Sequence, residues 1–85
     1  MDNKNDENYV YFLVAKNLKR IRKEKKLTQT LFAEKCNYST GFIMNIESKK
    51  YYQTFSLGTI WKFAQVLNVD IRELFKPLED EKNVN

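Results

Sequence analysis

The sequence predicts an all-α domain of five helices. Apolar residues recur at three- and four-residue spacing through most of the chain, the rhythm of a helix with one buried face. Each predicted helix after the first is preceded by a strong capping residue: Thr28, Ser39, Ser56 and Asp70. The one stretch with strand-like composition, residues 9–14, is only six residues long. A chain of 85 residues holds one small domain. With one cysteine and no histidine, it has neither an internal disulfide nor the usual zinc ligand sets. Its stability therefore rests on apolar packing, roughly 1.5–3 kcal/mol for each large side chain buried.

The first helix is predicted over residues 9–26. Val14, Leu18 and Ile21 keep the i, i+4, i+7 rhythm, Tyr11 extends it backwards, and Lys16, Lys19, Arg20, Lys23 and Lys25 occupy the other faces. Residues 9–14 are apolar all round, more than one buried stripe requires, so they are expected to cover core and part of an interface. A strand is the alternative there. The second segment, 28–36, is capped by Thr28 without a Glu three residues later, and turns Leu31, Phe32, Ala33 and Cys36 inward. Cys36 reads as a small buried residue. Asn37 suits a left-handed turn position, and Tyr38 packs or hydrogen-bonds at the corner.

The third helix, 39–47, opens on Ser39, whose hydroxyl is expected to accept from the amide of Gly41 or Phe42. Ile43 and Ile46 share its inner face, while Thr40, Gly41, Met44 and Asn45 fall elsewhere. Phe42 and Met44 read as core or groove-wall packing residues rather than readout residues. In the fourth helix, 57–67, Leu57, Ile60, Ala64 and Leu67 face the core, with Trp61, Phe63 and Val66 partly so, and Asn68 supplies the left-handed end. Asp70 and Glu73 have capping-box spacing for a fifth helix over 71–76, which Pro77 ends. The expected organisation is a polar disordered segment 1–8, a folded domain 9–77 and an acidic flexible tail 78–85.

Charge is unevenly distributed. The first eight and the last nine residues each carry a net −2, which places +8 on residues 9–76 of a chain whose total is +4. A basic domain with acidic ends fits a nucleic-acid binder. Two short capped helices joined by Asn37-Tyr38 read as a helix-turn-helix at 28–47, a unit that places its second helix in the major groove of double-stranded DNA. The N-terminus lacks the layout of a secretory signal, and no run approaches the ~20 apolar residues of a membrane span. A cytoplasmic setting is expected, with no cofactor, metal or small-molecule ligand. An enzyme is disfavoured, since there is no Gly-rich phosphate loop and no plausible pair of catalytic carboxylates.

Leu27-Thr28-Gln29, Phe32-Ala33, Ser39, Ile43, Ile46-Glu47, Ser56-Leu57 and Thr59-Ile60 together resemble the XRE family, the Cro- and lambda-repressor-like helix-turn-helix regulators. Residues 68–75 look like that family's closing segment, and the similarity spans about residues 14–75. The lack of a second domain within the 85 residues is similar to small single-domain regulators such as restriction-modification controller proteins. The resemblance implies base readout by Thr40, Gly41 and Asn45. It implies phosphate contacts by Thr28, Gln29 and Ser39, with Lys49, Lys50 and Tyr51 of a longer loop clasping the backbone. Arg22 and Glu47 match a structural ion pair. A homodimer on a short inverted repeat follows, with Trp61, Val69, Ile71, Phe75 and Leu78 as candidate dimer contacts. Where the family usually presents polar side chains, this chain has Gly41 and Met44. A protein-interaction module of the same fold, antitoxin-like or regulator-binding, is the alternative.

Overall fold

The computed structural model describes residues 6–48 and 53–78. Four α-helices follow in order: α1, Tyr9–Glu24; α2, Gln29–Cys36; α3, Thr40–Glu47; and α4, Leu57–Leu67. A closing 3₁₀ helix spans Ile71–Phe75. Residues 9–14 are helical, so the strand alternative is set aside. The fifth element is shorter and tighter than the expected helix over 71–76. Lys76 precedes Pro77 and is extended (φ −64°, ψ 136°), because the proline ring disfavours helical backbone before it.

Local chemistry sets the boundaries. Thr28, Ser39 and Ser56 accept hydrogen bonds from the amides of Leu31, Phe42 and Thr59 at 3.0–3.1 Å. Each cap thus satisfies one of the orphan donors of a helix start. Asn37 and Asn68 end α2 and α4 in the left-handed region, at φ 68° and 58°. Lys26 is a third left-handed residue (φ 60°), so α1 stops at Glu24 rather than running to residue 26. The capping box at Asp70 does not form. Asp70 accepts from the amide of Arg72 (2.9 Å) and pairs with its guanidinium, while Glu73 turns forward to Lys76. A 3₁₀ turn brings the second amide, not the third, to the cap.

The core joins all five elements: Val14, Leu18 and Ile21 from α1, Phe32 from α2, Ile43 from α3, Phe63 from α4 and Leu74 from the closing turn are all buried. Phe32 and Phe63 meet at 5.4 Å between ring centroids. Two expected core residues lie outside. Leu31 is 40% exposed, because α2 turns the stripe Phe32-Ala33-Cys36 inward and Leu31 falls beside it. Leu57 is 71% exposed, since it stands at the first position of α4, over the rim of the core. Asn17 has a structural role the sequence did not suggest. It is buried, its amide nitrogen donates to the carbonyls of Leu13, Leu74 and Lys76 (2.9–3.2 Å), and its oxygen accepts from Arg20.

Candidate nucleic-acid interface

The turn between α2 and α3 is held from beneath by α4. Tyr38 stacks edge-on against Phe42 (5.1 Å) and Phe63 (6.0 Å), and its hydroxyl shares a hydrogen bond with the Thr59 hydroxyl at 3.1 Å. Lys62 donates to the carbonyl of Cys36 (3.3 Å), satisfying the C-terminus of α2, and lies over the Tyr38 ring. Ser39 is spent on capping α3, through its bond from Phe42 rather than Gly41. The start of α3 is thereby fixed.

Its far end is fixed by charge. Arg22 donates twice to Glu47, Nε to Oε2 at 2.8 Å and Nη2 to Oε1 at 2.7 Å, with side chains 7% and 1% exposed. The third guanidinium nitrogen donates to the carbonyl of Leu27 (2.6 Å). Gln29 donates to the same carboxylate at 3.0 Å. One buried acid thus gathers α1, the α1–α2 turn, α2 and α3, and every buried side-chain nitrogen and oxygen among the described residues has a partner. The sequence did not show that Gln29 spends an amide proton here, which makes it a positioning residue for α3 whatever else it contacts.

With Ile43 and Ile46 buried, α3 turns the stripe Thr40, Gly41, Met44 and Asn45 outward. Gly41 is exposed, and a Cβ built there meets nothing within 4 Å. Met44 is 50% exposed and lies between Thr40 and Gly41 on the stripe, so it is not a core residue. Phe42 packs on Tyr38 as expected. Neither Thr40 nor Asn45 spends its side chain on a hydrogen bond within the described residues. Gly41 and Met44 are exposed on this face, and Thr40 and Asn45 stand half-buried at its two edges. Thr28 stands exposed at the start of α2, and Lys49, Lys50 and Tyr51 lie outside the described residues.

Positive charge on α1, α2 and the turn between them is largely unneutralised. Four of the five acidic residues between 9 and 76 are paired: Glu24, Glu47, Asp70 and Glu73. Lys19, Lys23, Lys25, Lys26 and Lys35 have no acidic partner among the described residues. Where the starts of α1 and α4 meet the closing turn, Val10, Tyr11, Phe55, Leu57, Ile60 and Phe75 line a shallow apolar cleft. Trp61, 55% exposed, stands one turn along α4 from Leu57. Val69, Ile71 and Phe75 pack partly against the core, and Leu78 is half-buried.

A family model described as helix-turn-helix matches residues 18–74. The chain belongs to that family. Within it, the matched span takes in the Arg22–Glu47 pair, the capped α2–turn–α3 unit and the closing turn, the same stretches that carry the XRE resemblance. The immunity repressor protein of Bacillus phage phi105 is 40% identical over 58 residues, covering 68% of this chain. The chain spans 39% of that relative's length. No solved structure matches significantly. Among the described residues, no helix of this helix-turn-helix protein is long and apolar enough to cross a membrane.

Proposed function

We propose that this chain is a sequence-specific repressor of transcription that binds double-stranded DNA as a homodimer on a short inverted repeat. The observation that carries this reading is the outer stripe of α3, fixed at both ends by buried contacts, on a domain whose α1 and α2 carry unpaired lysines. A helix held this way enters the major groove without the protein having to reorganise. The exposed amides at the start of α2, with Thr28, favour a phosphate there. Repression, rather than activation, is supported by the similarity to a phage immunity repressor. A single short helix reads only a few base pairs, so two copies on half-sites about one turn apart gain the missing specificity.

Titration of the full chain against its selected duplex at several salt concentrations tests the reading. The affinity is expected to fall linearly on logarithmic axes, with a slope near −0.9 for each phosphate contact. Binding that ignores salt, or no duplex binding at all, would overturn it. The apolar cleft beside Leu57 and Trp61 supports a protein contact, which a second copy of the chain satisfies.

A further inference from the structure

The outward stripe of α3 also bears on which bases it meets. Direct readout in the major groove follows a chemical code: Arg or Lys for guanine, Asp or Glu for cytosine, Asn or Gln for adenine. Apolar groups and the Thr methyl meet the thymine methyl, while Ser and Thr hydroxyls are indifferent. The helix, Thr40–Glu47, contains no Arg or Lys. Its one acid, Glu47, is 1% exposed, with both carboxylate oxygens engaged by Arg22 and Gln29. What remains on the outer face is a half-buried threonine, an open glycine, a half-exposed thioether and a half-buried amide with no side-chain hydrogen bond among the described residues. Gly41, Met44 and Asn45 lie at i, i+3 and i+4, so these groups present together.

We infer that the base pairs facing residues 40–45 are A·T pairs. Asn45 takes adenine through N6 and N7, Thr40 and Met44 contact thymine 5-methyl groups, and Gly41 lets the helix backbone come close. This rests on α3 being the groove-reading helix.

The test is selection of bound sequences by the full chain from a random duplex pool, followed by titration of modified duplexes. Each half-site is expected to show fixed A·T pairs. Replacing thymine by uracil at those pairs should weaken binding about fourfold for each methyl removed from contact. Replacing adenine by 7-deaza-adenine at one position should weaken it about fivefold, the low end for a bidentate contact, because only the N7 hydrogen bond is lost. Met44→Ala should abolish a uracil effect and Asn45→Ala the 7-deaza effect. Met44 is exposed, and Asn45 is half-buried with no side-chain hydrogen bond among the described residues, so both variants should keep the fold, which circular dichroism checks. Selected sites with G·C at the positions altered by these variants, or titrations indifferent to both base changes, would overturn the inference and leave the repressor reading standing. No enriched sequence and no salt-sensitive duplex binding would overturn both.

Discussion

Glu47 is the residue on which most depends, since a single buried carboxylate accepts from both Arg22 and Gln29. Glu47→Ala leaves a buried guanidinium uncompensated, and urea denaturation should show a loss of about 3–5 kcal/mol. Gly41 should behave in the opposite way. Its position has room for a methyl group and lies inside a helix, so Gly41→Ala should raise stability by about 0.5–1 kcal/mol while weakening DNA binding. A gain in stability with unchanged affinity would remove Gly41 from the contact surface. Lys26 holds a left-handed conformation that costs a non-glycine residue roughly 1–2 kcal/mol, so Lys26→Gly should also stabilise the fold in denaturation. Cys36 is fully buried, and burial pushes its thiol up to about 11 despite the nearby Lys62. It stays protonated and resistant to alkylation near neutral pH. The folded-state value is the raised one. Its contribution to stability is therefore complete below the ordinary 9.0 and is lost as pH rises through about 11. Denaturation of the wild type and Cys36→Ala at pH 8 and above 10 should show the wild type losing more.

At the scale of elements, capping and turn chemistry were the most legible features of the sequence. Thr28, Ser39 and Ser56 cap as their types predict, and Asn37 and Asn68 take the left-handed positions. The Arg22–Glu47 pair was also foreseen, but only through family resemblance, because nothing in the spacing of residues 25 apart implies contact. Lys26 was missed because a lysine carries no turn signal. Its conformation is imposed by the need to bring Leu27 back over α1, where Leu27 donates to the carbonyl of Arg22 at 3.1 Å. Leu31 and Leu57 were misplaced because short helices offer too few residues for periodicity to fix the inner face. Asn17 was unreadable since its acceptors lie 57 and 59 residues away. Of the candidate site, Thr40, Gly41 and Asn45 lie on the outward stripe, and Met44 joins them as the residue the sequence assigned to packing. The link through Tyr38 gives an element-scale prediction. Tyr38→Phe removes the bond to Thr59 and should cost about 1 kcal/mol in denaturation, with the ring contacts retained.

For the whole molecule, the proposed pairing on DNA turns on a single apolar surface. Trp61 is the most exposed of the proposed dimer contacts, and it stands beside the apolar cleft rather than on the α3 stripe. Trp61→Glu should shift the mass seen by sedimentation equilibrium from two chains to one, lower operator affinity, and leave the melting temperature of the monomer nearly unchanged. An unaltered mass would place the contact elsewhere. The outer stripe of α3 has a further consequence. Because Thr40, Gly41, Met44 and Asn45 contribute little to holding the domain together, they are free to change while the scaffold stays as it is. Helix-turn-helix domains with new surfaces are then a few exchanges away, each arriving already folded, so this stripe can diverge much faster than the shape that carries it.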